Sequence, residues 1–318
     1  MHEMETNQTE ELNNFCYIIT EETEGERLDK CVSSLADFLS RSYIQKLIDD
    51  GSITVNGQKC KASFRVKAED SVKVCVPPSA APSIVPEDIP LDVLFEDKDV
   101  IVVNKPKGMV VHPAPGHFSG TLVNALLFHC QGQLSGINGV LRPGIVHRID
   151  RDTTGSVIAC KNDKAHRDIA EQLKSHSIVR RYHAIVHGVV KEEEGSLHTL
   201  IGRHPSDRKK MAVLSKGGKD AVTHYRVLSR FEKFTYIECR LETGRTHQIR
   251  VHMASLGHPL LGDTVYGPKN CPIRNLEGQT LHAKILGFRH PISGEYVETD
   301  APLPEYFTGL LTNFLTIH

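Results

Sequence analysis

The chain has 318 residues, 39% hydrophobic and 24% charged, which suits a soluble two-domain protein with a sizeable core and excludes a disordered or collagen-like chain. Net charge is −1, yet residues 1–26 hold eight glutamates and no Lys or Arg, so the remainder carries +7 and admits a polyanionic partner. No apolar run approaches a membrane span, the acidic start is unlike a signal peptide, and eight singly spread cysteines exclude zinc-finger spacing and a disulfide framework and point to the cytoplasm.

In chain order, residues 1–14 read as a disordered acidic tail. Residues 15–77 form a small module. Leu28, Cys31, Val32, Leu35 and Phe38 recur at helical spacing. Ser40 caps a second helix, "RSYIQKLIDD", that Gly51 ends. Asn56-Gly57 turns a hairpin, and "SVKVCV" is an alternating strand. Arg41 and Lys46 are among its basic residues and are candidates for polyanion contact. "PPSAAPSIVPEDIP" makes 78–90 a Pro-rich linker. From 91 to 318 strands outnumber helices: two around Asp97-Lys98-Asp99, a buried strand in "GSVIACK", others in "RRYHAIVHGVV" and 219–244. Helices are expected in "VNALLFHC", in "NDKAHRDIAEQLKSH" capped by Asn162, and in "RTHQIRVHMASLG" stopped by Gly257. The fold class is therefore α+β, with a mixed, largely antiparallel sheet and flanking helices.

Chemistry concentrates in a few stretches. "GIVHRIDRDTTGSVIACK" exposes Asp150 and Asp152 among His147, Arg148 and Arg151. A neighbouring arginine keeps a carboxylate ionised, and an aimed carboxylate is a nucleophile. On this stretch alone, a nucleophile and a capping or turn aspartate fit equally. Asp150-x-Asp152-x-Thr154 also fits an Mg²⁺-dependent phosphotransferase signature, but His147 and Arg148 interrupt the apolar strand it needs, and the later acidic pair is missing. In "LETGRTHQIRVHM", His247 and His252 are five apart and do not share a helical face, so phosphate contact by Arg245 and Arg250 suits it better than a metal. "IGRHPSDRKKMAVLSKGGK" carries six Lys/Arg against one Asp and reads as a basic hairpin arm, with Arg208, Lys209 and Lys210 at its tip. Tyr182 alone reads as a core aromatic.

Taken in order, "NKPKGMVVHP", "RPGIVHRIDRDTTG", "RRYHAIVHG", "GRHPSDRKKMAV", "LETGRTHQIRVHM", "GHPLLGDTVYG" and "LHAKILGFRHP" closely resemble the RluA/RluD family of RNA pseudouridine synthases, and residues 27–57 resemble the S4-type RNA-binding module of its RluD branch. The likeness spans nearly all the chain after about residue 15. It implies an isomerase that turns uridine into pseudouridine in structured RNA, by base flipping, without metal or cofactor. It implies bacterial large-subunit (23S) ribosomal RNA as substrate; a monomer is the default expectation, on which the sequence itself is silent. Matched motif by motif, Asp150 is the catalytic aspartate and Tyr182 stacks on the target base. Arg245 pairs with the aspartate, and Arg148 fills the gap left in the RNA stack. Asp152 is then a supporting or solvent-facing group.

Overall fold

The computed structural model describes residues 14–36, 39–76, 84–113, 117–139, 142–207 and 209–315. It divides into two compact units, Met1–Ala81 and Pro82–His318. The acidic residues 1–13, Phe38 and Arg208 lie outside the described residues.

The first unit has two helices, α1 (Leu28–Leu35) and α2 (Arg41–Asp50), and four strands: β1 (Asn14–Ile18), β2 (Ile53–Val55), β3 (Gln58–Lys59) and β4 (Ser71–Cys75). Local chemistry places the ends of α2. The Ser40 hydroxyl accepts the Tyr43 N–H at 3.3 Å, and Gly51 takes φ 88° where a side chain would be strained. Asn56 and Gly57 both have positive φ, as the tight β2–β3 turn requires. The sheet order is β1-β4-β2-β3, all antiparallel. Residue 14, placed with the tail in the sequence, already belongs to β1: pairing Asn14 with Cys75 settles it, and no local pattern does.

The second unit is one long sheet. Its strands are β5 (Val93–Glu96), β6 (Val100–Lys105), β7 (Thr154–Cys160), β8 (Val179–His187), β9 (Glu194–Arg203), β10 (Met211–Leu214), β11 (Lys219–Arg230), β12 (Phe234–Leu241), β13 (Leu281–Arg289) and β14 (Tyr296–Asp300). The order is β10-β9-β11-β12-β8-β13-β7-β6-β5, with β14 beside β13. Every pairing is antiparallel except β13 with β7, so the sheet is mixed and largely antiparallel, as expected.

Helices α3 (Leu122–His129) and α5 (Gln248–Ser255) share one core with Ile101, Val103, Val157, Ala159, Tyr182 and Ala184. Helix α4 (Asp163–Lys174) packs with Val100, Val102, Ile158 and Cys160 on the other face. Alternate residues of β6 and β7 thus feed opposite cores, which is why β7 is buried along its whole length rather than on one face. Helix α6 (Glu305–Leu315) adds Phe307, Leu310 and Phe314 against Ile185, Phe231 and Phe234. Part of the expected linker is docked here. Asn124 in α3 donates to the Val85 carbonyl at 2.8 Å and its own carbonyl accepts the Glu87 N–H at 3.0 Å, so residues 84–90 are held by this unit.

Candidate active site

The turn entering β7 carries Asp150, and it is pinned from three sides. Lys105, fully buried at the end of β6, donates its three ammonium protons to the carbonyls of Pro106, Met109 and Arg151, at 2.8–2.9 Å. Gly108 N–H reaches the same Arg151 carbonyl at 3.0 Å. Thr153 donates its N–H to the Asp150 carbonyl at 3.1 Å, and its hydroxyl accepts from Gln279. The His147 ring, pushed down to about 3 by burial, is neutral and accepts the Ile158 N–H through Nε2. Gly155 completes the frame: a Cβ there would lie 2.3 Å from the Ala283 carbonyl oxygen, so only glycine lets β7 meet β13.

Burial draws the Lys105 pKa down to about 7, with Asp152 and Asp150 opposing. The folded state therefore holds fewer protons than the unfolded chain between about pH 7 and the ordinary lysine range. Stability contributed by this residue rises with pH across that window. Lys105→Met leaves the Pro106 and Met109 carbonyls without this donor, at about 1–3 kcal/mol for each one unsatisfied, while Arg151 keeps the Gly108 N–H. We expect its melting temperature to be lower, and the gap from wild type to widen as pH rises from 7 to 10. A gap that narrows on raising the pH would refute the burial reading.

Across the cavity, β12 leads into α5 through a turn closed by Gln248. Its side-chain oxygen accepts from the Thr243 hydroxyl and the Arg245 N–H, and its amide nitrogen donates to the Val222 carbonyl and to the Thr223 hydroxyl oxygen. His247 sits at φ 56°, a left-handed conformation that costs a non-glycine residue energy and starts the helix one residue later. Arg250 is the third residue of α5. Its Nη1 lies 2.8 Å from an Asp150 carboxylate oxygen, while Nε and Nη2 grip both oxygens of Asp263 at 2.7 and 2.9 Å. Burial would lower the Arg250 pKa, but the two carboxylates outweigh it and push it upward. Burial would likewise raise Asp263; Arg250 and the N–H groups of Val265 and Tyr266 hold it below the usual carboxylate range.

The expected ion pair of Asp150 with Arg245 is therefore corrected: Arg250 makes it. The reversed backbone at His247 separates the two arginines, and Arg245 spends its Nε–H on the Asp220 carbonyl of β11 at 2.7 Å. Arg245 still lines the same cavity of about 550 Å³, with Asp150, Arg148 and Tyr182. Tyr182 is buried on β8, and that burial pushes its phenol upward. Arg148 is exposed, its Nη1 3.4 Å from His112 Nε2. Lys209 is exposed and Lys210 half-buried on the segment joining β9 to β10, whereas Arg41 and Lys46 are exposed on α2 of the other unit.

His247, considered in the sequence only as a metal ligand, stands beside the aspartate. Its Nε2 lies 3.8 Å from Asp150, and its Nδ1 lies 2.8 Å from the Tyr266 hydroxyl. Tyr266 also accepts the Met211 N–H at 2.8 Å, so its hydroxyl ties the His247 ring to the start of β10. His252 is spent elsewhere, between Thr199 and Thr223.

A shared cation between Asp150 and Asp152 finds no support. Asp150 turns to Arg250 in the cavity, while Asp152 pairs with Arg151 at 3.0 Å and packs on Gly278. Among the described residues, Asp97, Asp99 and His290 have spacing that would suit a cation. There His290 Nδ1 accepts the N–H groups of Ile292 and Ser293, so the ring proton is on Nε2, 2.7 Å from Asp97. A cation would have to displace that proton and leave an imidazolate, so the group reads as a His–Asp pair.

Comparison with known proteins agrees with this geometry. Residues 99–255 match the model of the RNA pseudouridylate synthase family, and residues 26–72 match the S4 domain. An uncharacterized RNA pseudouridine synthase of Bacillus subtilis is 50% identical over 95% of this chain and 98% of its own length. The ribosomal large subunit pseudouridine synthase D of Zymomonas mobilis is 49% identical over 90% of this chain and 93% of its own. In three dimensions, human RNA pseudouridylate synthase domain containing 1 shares the fold, with a TM-score of 0.57 at 22% identity, over 72% of this chain and 96% of that one.

Proposed function

Because this chain belongs to the RNA pseudouridine synthase family, we propose that it isomerises uridines of large-subunit (23S) ribosomal RNA with Asp150 as the catalytic carboxylate. The observation that carries the reading is the Asp150 carboxylate, held by Arg250 at 2.8 Å and lining a cavity that also presents Tyr182. A uridine in a folded stem hides its glycosidic carbon, so it must be extruded at a cost of a few kcal/mol. Arg148, exposed at the rim, stacks in the vacated place and offsets part of that cost. Inside, Tyr182 supports the base. Asp150 acts on the nucleotide while the N1–C1′ bond breaks, the uracil turns and C5–C1′ forms. C5 loses a proton and N1 gains one, so nothing is consumed and no cofactor is called for. Asp152 stays outside the reaction.

The S4 unit and the arm hold the RNA. Each phosphate contact removed lowers the dependence of log affinity on log salt by about one. Arg41→Ala with Lys46→Ala in the full chain is expected to weaken stem-loop binding and make its salt dependence shallower by about two. An unchanged slope would remove α2 from the interface. The enzyme works as a monomer in the cytoplasm, in keeping with eight unpaired cysteines and the absence, among the described residues, of a helix long and apolar enough to cross a membrane. Chemical mapping of pseudouridine in 23S ribosomal RNA, with and without this gene, tests the whole reading: at least one site should vanish. A map that does not change would sink it.

A further inference from the structure

The cavity holds three inner arginines of two kinds. Arg250 is matched by two carboxylates. Arg180 and Arg245 are matched by none among the described residues. Arg180 stands two residues before Tyr182 on β8, on the same face of the strand, and is 7% exposed. Its Nη2 donates to the Glu242 carbonyl at 2.7 Å, and its Nε is buried without a partner. Nη1 lies against Gly244, where a Cβ would come within 2.7 Å of it. Its neighbours are the neutral His147, Tyr182 and the second arginine, Arg245. Burial and Arg245 both disfavour its charge.

A buried guanidinium without a counter-charge is costly, and two that line one cavity repel each other. Such a pair is stable in use only if an anion arrives with the ligand. Uridine offers one permanent anion, its phosphodiester. We propose that Arg180 and Arg245 form a phosphodiester subsite that grips a phosphate flanking the extruded uridine. The proposal rests on the cavity taking a uridine of RNA. It gives Arg245 a role that its distance from the Asp150 pair otherwise leaves open, and it makes the glycine at 244 the residue that keeps the Arg180 fork clear. The nucleotide is then held at both ends, by Tyr182 on the base and the arginine pair on the backbone, which fixes the sugar between them.

The test is a thermodynamic cycle on the full chain. One partner is Arg180→Met. The other is a stem-loop containing the mapped uridine, with a neutral methylphosphonate at its 5′ or its 3′ linkage and a 2′-O-methyl group beside that linkage in modified and control RNAs alike. Wild type should lose about tenfold in affinity for one of the two modified RNAs; Arg180→Met should lose about as much for the control and nothing further for that modified RNA. Losses that multiply at both linkages would overturn the subsite. So would a variant that binds the unsubstituted RNA normally and is slow only in single turnover, which would assign the cation to the departing uracil. Should Arg180→Met fail to fold, Arg180→Lys keeps the charge without the fork, and a wild type indifferent to both methylphosphonates overturns the proposal on its own. Wild-type turnover of the unsubstituted stem-loop is the control. Its failure would count against the uridine reading itself, separately from the subsite.

Discussion

Asp150→Asn should lower the single-turnover rate by about 10⁴-fold or more, while affinity for the stem-loop stays within a few-fold. Asparagine keeps the shape of the side chain and can still accept the Arg250 hydrogen bond. Arg250 keeps its bidentate grip on Asp263, so the site stays assembled and the melting temperature moves little. What is lost is the negative charge lining the cavity. Binding depends on phosphate contacts and base stacking, which the substitution leaves in place. Rapid-quench pseudouridine assays and filter binding measure the two quantities on the same RNA. A variant that turns over within tenfold of wild type would remove Asp150 from the chemistry.

Arg250→Met is expected to destabilise the fold strongly. It strands Asp263, whose side chain is fully buried, and deprives Asp150 of its partner. Breaking a buried ion pair by removing one member costs about 3–5 kcal/mol. For a unit of this size that lowers the melting temperature by about 10 °C. The pH dependence separates this from a simple packing defect. In wild type the Asp263 pKa is depressed, so its contribution is present at neutral pH and is lost as the pH falls through the folded value. In the variant the lone buried carboxylate has a raised pKa. It penalises the fold at neutral pH, and the penalty is relieved on acidification. The gap between the two melting temperatures should therefore close as the pH falls from 7 towards the carboxylate range. A gap independent of pH would mean that packing, not charge, was lost.

These two residues mark where sequence was enough and where it was not. The place of Asp150 in the cavity is legible because its motif is one of an ordered set. The caps at Ser40 and Asn162 and the Asn56-Gly57 turn are legible for another reason: each is decided within four residues. Arg250 is not. Two arginines five apart compete for a carboxylate a hundred residues upstream, and a single left-handed residue, His247, settles which one reaches it. Nothing in "TGRTHQIR" announces that conformation. Lys105 was equally hidden: "NKPKG" reads as the end of a strand and a Pro/Gly turn with two lysines, yet one of them is buried and bonded to carbonyls that only the fold assembles. Asp263 and Tyr266 lie in a motif whose family likeness was plain but whose task shows only when α5 is set beside it.

The hydroxyl of Tyr266 joins two parts that are usually thought of as interchangeable. His204 donates its N–H to the Lys210 carbonyl and closes a short clip, but the next residue, Met211, hands its N–H to the tyrosine bonded to His247. Insertions within the clip leave that handshake alone; a shift of one residue at 211 breaks it. Anyone grafting a foreign arm onto this scaffold to retarget it has a defined cut site. The tip can be exchanged between 204 and 210, and the register of β10 must be left untouched.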